Sequence, residues 1–183
     1  VAFAALPAEL QSPVAACARA LADQGEKQLG TLMAGLSNDD LATRTILCSA
    51  ITAIARAKVD ASSAIDLLIR QLDLPDVALK LEAIDALYAI GAPARAKAGP
   101  ALLALAQQTI ADDPQHLVKR KIIEALFRRS KSGSGFYSAN FEGVDRKLVV
   151  AGLKALIEGT DNAFDMGNLG NAYRDLGQVE RAM

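Results

Sequence analysis

Tryptophan is absent from this chain, histidine occurs once, cysteine occurs twice, and aromatic residues make up only 4% of its 183 positions. Each scarcity excludes something. One His and two separated Cys leave no zinc site of the usual four-ligand kind. Cys17 and Cys48 lie in Ala-Ala-Cys-Ala and Ile-Leu-Cys-Ser, apolar helical settings that read as buried free thiols. Neither disulfide nor metal spacing is visible, which favours a reducing compartment and a cytoplasmic location. No apolar run approaches the roughly 20 residues that span a bilayer, so no membrane partner is expected. The opening Val1-Ala2-Phe3-Ala4-Ala5-Leu6-Pro7 lacks the basic start of a signal peptide. A first residue other than Met fits a processed or excised segment. The formal charge of -1 points in bulk to neither a nucleic-acid partner nor an acidic tail.

Recognisable chemistry is missing as well. There is no Gly-x-Ser-x-Gly elbow. Ser132-Gly-Ser-Gly135 is followed by no Gly-Lys-Ser/Thr and preceded by no apolar strand, so it is not a phosphate loop. Gly167-x-x-Gly170 opens no βαβ unit. The acid pairs Asp39-Asp40 and Asp112-Asp113 sit at turns, where capping accounts for them. His116, beside the second pair, could start a metal site but reads more simply as a turn residue. The expectation is a non-enzyme, with no catalytic residue, no metal and no cofactor.

What is present is 51% apolar residues, rich in Ala and Leu, arranged with a helical period. Alanine has the best helix propensity and little bulk, so it suits closely packed helices. The apolar stripe Leu79, Ala83, Ala86, Leu87 and Ile90 follows Asp76. Shifted back 36 residues it becomes Thr43, Leu47, Ala50, Ile51 and Ile54 after Asp40; shifted forward 39 it becomes Val118, Ile122, Ala125 and Leu126 after Gln115. Offsets of 0, 4, 7, 8 and 11 mark one face of a helix. A second amphipathic segment precedes each: Leu29, Leu32, Met33 and Leu36; Ile65, Leu68, Ile69 and Leu72; Leu102, Leu105, Ala106 and Ile110. Ser37-Asn38-Asp39, Asp73-Leu74-Pro75-Asp76 and Asp112-Asp113-Pro114 supply the turns, and Gly91-x-Pro93 closes the second unit.

The pattern Asp-x-x-Leu/Val-Lys/Arg-x-x-Ala-x-x-Ala-Leu-x-x-Ile-Gly resembles the HEAT repeat, over roughly residues 26–130. The resemblance implies an all-α fold, a right-handed α-solenoid of stacked helix-turn-helix repeats at about 26–57, 62–92 and 98–130. The third unit departs from the pattern at Gln115, Arg129 and Ser130, so the regular array is expected to end or bend there. Leu10, Val14, Cys17, Ala18 and Leu21 place a capping helix, or half of an earlier unit, within 1–25. Residues 131–144 read as a Gly/Ser loop leading into Phe136, Tyr137 and Phe141, aromatics that fold back or form a contact surface.

A helix from Asp145 to Gly159 opens the last segment, 145–183. Beyond it, Leu169-Gly170-x-x-Tyr173-x-x-x-Gly177-x-x-x-x-Ala182 resembles the first half of a tetratricopeptide (TPR) repeat, with Met166 where that family has a large aromatic. The alternative is a fourth HEAT-like helix. A full TPR unit is about 34 residues, so the segment is expected to be truncated.

Two sets of charged residues stand out. Lys119, Arg120, Lys121, Arg128, Arg129 and Lys131 face a single acid, Glu124, so 119–131 carries net +5 in a chain of net -1. In HEAT-like arrays second helices line the concave surface, and such a patch there would hold an acidic peptide or phosphate; an ordinary solvated helix face explains it too. Asp40/Arg44 and Asp76/Lys80 recur at i, i+4, and read as a structural ladder of ion pairs between units. The resemblances imply a non-enzymatic protein-protein interaction scaffold or sensor segment of a larger multidomain signalling protein, similar to the C-terminal halves of nucleotide-binding signal-transduction ATPases. The partner would be a protein or peptide, an acidic one if the cations bind it. The alternative is a nucleic-acid-binding HEAT-like solenoid that uses the basic helix 119–131. HEAT-like DNA glycosylases are a third class, but they need groove aromatics, and this chain has no Trp.

Overall fold

The computed structural model describes residues 26–110, 113, 116–127, 145–158, 166–167 and 170. Among these residues the fold is all helical: seven α-helices, one short 3-10 turn and no strand. The helices are α1 (Glu26–Gly35), α2 (Leu41–Arg56), α3 (Ile65–Gln71), α4 (Val77–Ile90), α5 (Ala92–Ala106), α6 (Leu117–Phe127) and α7 (Arg146–Glu158). The 3-10 turn Ser62–Ala64 leads into α3. The chain divides into two compact units, Val1–Ala94 and Arg95–Met183.

In the first unit α1 pairs with α2, α3 pairs with α4, and α2 packs on α4. The turns are set locally. Asp40 stands in extended conformation before α2, and its carboxylate accepts the N–H groups of Ala42 at 3.3 Å and Thr43 at 3.0 Å. Asp76 does the same for α4, taking the N–H of Leu79 at 2.7 Å. Each satisfies first-turn donors that no carbonyl can reach. The expected stripes are the buried faces: Ala50, Ile51 and Ile54 of α2, and Leu79, Ala83, Ala86 and Leu87 of α4. Burying each large side chain contributes about 1.5–3 kcal/mol, so these faces fix which sides of the helices meet.

α2 ends in a Schellman turn. The N–H of Val59 reaches Ile54 O at 3.3 Å and that of Lys58 reaches Ala55 O at 3.0 Å, with Lys58 at φ 69°. α4 ends at Gly91, whose φ of 92° suits a residue without Cβ. Gly35 matters for a different reason. A Cβ there would lie 2.6 Å from Leu47 Cδ1, so its absence lets α1 approach α2.

α5 starts at Ala92, in the last residues of the first unit and six residues before the expected 98. Pro93 does not merely stop the preceding helix; it sits in the first turn of the next, where a missing N–H costs nothing. Pro100 lies inside α5, and the helix continues through it because Leu102, Leu103, Leu105 and Ala106 are all buried beyond it. α7 spans close to the expected range, with Asp145 Oδ1 accepting the Lys147 N–H at 2.9 Å. It packs on α6. It also comes so near α5 that a Cβ on Gly152 would lie 2.7 Å from Leu103 Cδ2 and 3.0 Å from Leu103 O. Val149, Leu153 and Leu156 are its buried face.

The expected capping helix in 1–25 and the aromatic loop 131–144 lie outside the described residues. So do Tyr173, Gly177 and Ala182 of the TPR-like segment, of which Met166, Gly167 and Gly170 are helical and Met166 is exposed.

Candidate functional site

α6 begins with an unusual cap. Asp113 is buried, 6% exposed, and its two carboxylate oxygens accept the N–H groups of Leu117 at 2.7 Å and Val118 at 3.1 Å. His116, at φ 51°, donates its N–H to Asp113 O at 3.1 Å. His116 is exposed and serves as a turn residue. The carboxylate pins the helix start, and therefore fixes which way the cations that follow are turned.

Those cations separate into different jobs. Val118, Ile122, Ala125 and Leu126 are buried, so Arg120 and Glu124 stand on the opposite, exposed side. Lys119 is half-buried and reaches α7, where Nζ donates to Ala155 O at 3.2 Å. Ala155 is in the last turn of α7, whose carbonyls have no partner within the helix and carry the negative end of its dipole. Lys119 thus acts as a C-terminal cap borrowed from a neighbouring helix. Lys121 Nζ lies 3.5 Å from Glu124 Oε2, one turn along, with both side chains partly exposed. Arg128, Arg129 and Lys131 lie outside the described residues. Of the six candidate partner-binding cations, the described geometry leaves Arg120 and Lys121 turned outward, and assigns Lys119 a packing role.

The other charged set also has a definite geometry. Arg44 donates from Nε to Asn38 O and from Nη1 to Gln71 Oε1 at 3.4 Å. Lys80, only 4% exposed, donates from Nζ to Leu72 O, at the end of α3. Asp40 and Asp76 turn to the first-turn N–H groups of their own helices instead. Thr43 Oγ1 also donates to Asp40 at 2.5 Å, and these bonds hold the Asp40 carboxyl below its ordinary range. Each acid/cation pair therefore works on one interhelical turn: the acid caps the second helix, and the cation closes back on carbonyls at the turn or at the end of the first. Burial lowers the Lys80 pKa, while Asp73 and Asp76 oppose the shift.

Between α2 and α4 lies a polar contact that the sequence did not announce. Ser49 Oγ donates to Glu82 Oε2 at 2.6 Å, and Glu82 is buried. Ser49 to Glu82 joins α2 to α4, and Arg44 to Gln71 joins α2 to the end of α3. The position 36 residues before Glu82 is Ile46, so no repeated signal marked this carboxylate. Cys48, fully buried beside it, has its thiol pushed up to about 12, first by burial and then by the Glu82 charge. A thiol held neutral is a poor nucleophile. Cys17 lies outside the described residues. Among the described residues no three His, Cys, Asp or Glu side chains group in a way that could hold a metal ion, and no helix is long and apolar enough to cross a membrane.

No family model, curated protein or solved structure matches the chain.

Proposed function

We propose that the chain is a HEAT-like α-solenoid segment that binds a protein or peptide partner and performs no catalysis of its own. The observation that carries this reading is the packing of α2 on α4. Each is the second helix of a helix-turn-helix, the two are offset by 36 residues, and each begins with an Asp cap and carries a cation four residues on. Such units cannot bury both faces alone, so they are built to be stacked, and stacking yields an extended surface suited to binding other chains.

On this reading residues 26–57, 62–92 and 98–130 are the repeats, and the segment 169–182 starts a TPR-like unit. The partner would lie against the outward cations of α6, Arg120 and Lys121, and would be acidic. The setting is a larger multidomain signalling protein in the cytoplasm. The nucleic-acid alternative is the weaker one, because Glu124 stands on the same exposed side as Arg120 and within 3.5 Å of Lys121, which would repel a continuous row of phosphates.

The experiment is site-specific photo-crosslinking in cells from position 120, with position 66 on α3 as an exposed control. A discrete protein adduct from 120, lost with Lys121→Glu and absent from 66, supports the proposal. Adducts equal at both positions overturn it. Retention on random duplex DNA at low salt, abolished by Arg120→Glu, would replace it with the nucleic-acid reading.

A further inference from the structure

We draw no further inference here: the strongest candidate, the cationic corner that Arg120 and Lys121 make on α6, belongs to the site already described, while Cys48 beside Glu82 is a lone buried thiol and the acidic turn residues Asp39, Asp40 and Asp73 come with no second observation that points to a ligand.

Discussion

Lys119 Nζ donates to the carbonyl of Ala155 at 3.2 Å, which ties the first turn of α6 to the last turn of α7. The bond separates two adjacent cations by task. Lys119→Met removes a charged donor from a half-buried carbonyl and should cost about 1 kcal/mol of stability. Arg120→Ala, on the exposed side of the same turn, should change stability by no more than about 0.5 kcal/mol. Urea denaturation of the two variants checks this. Equal losses would mean that the Ala155 contact contributes nothing.

The close passage of α7 past Leu103 gives a sharper steric prediction. Gly152→Ala places a methyl 2.7 Å from Leu103 Cδ2 and 3.0 Å from its backbone oxygen, so α7 must shift. The expected loss is about 1–3 kcal/mol. Gly30→Ala in α1 is the opposite case. It is exposed with nothing within 4 Å, and should gain about 0.5–1 kcal/mol from helix propensity alone. Thermal melts that moved in the same direction for both would contradict the packing of α7.

Lys58 occupies the left-handed position of the Schellman turn after α2, at φ 69°. Glycine has no Cβ to strain there. Lys58→Gly should raise stability by about 0.5–1 kcal/mol even though it removes a side chain. Lys58→Val should lower it, because a β-branched residue resists positive φ. Denaturant midpoints for the pair test the turn, and the order Val above Gly would refute it.

Cys48 predicts a pH effect of definite sign. Its folded thiol value, about 12, lies above the ordinary 9.0, so the unfolded chain loses this proton first. The Cys48 contribution is therefore fully present below pH 9 and declines as pH rises toward 12. Lys80 acts oppositely. Its lowered value means the folded chain sheds that proton first, which adds stability as pH rises toward 10.5. Unfolding free energies of the native chain and Cys48→Ala, measured from pH 8 to 10.5, should differ by an amount that shrinks with pH. A constant difference would exclude the shift. Native Cys48 should also resist thiol reagents at neutral pH until the chain is denatured.

Much of the helical layout was legible from the residues. The apolar stripes at 43–54, 79–90 and 118–126 fall on α2, α4 and α6, and most of their side chains are buried. The Asp caps at 40 and 76 were equally readable, since a cap acts within three residues along the chain. The early start of α5 was not. Pro93 and Pro100 are local breakers by type, but Pro93 falls in a first turn that needs no N–H, and the burial of Leu102, Leu103 and Leu105 offsets the bond lost at Pro100. The ion-pair reading of Asp40/Arg44 and Asp76/Lys80 used helix spacing alone. Arg44 and Lys80 donate to carbonyls at and around the end of the preceding helix, which spacing does not reveal.

By itself, then, the order of residues determined where most of the helices form, which face of each is apolar, and how those with an Asp cap begin, because period and capping act over one to three turns. Tertiary structure alone decided which cation faces water and which ties two helices together, where a glycine is required, and that Glu82 would meet Ser49. Those outcomes depend on groups tens of residues apart in the chain, brought within a few ångströms only when the helices pack.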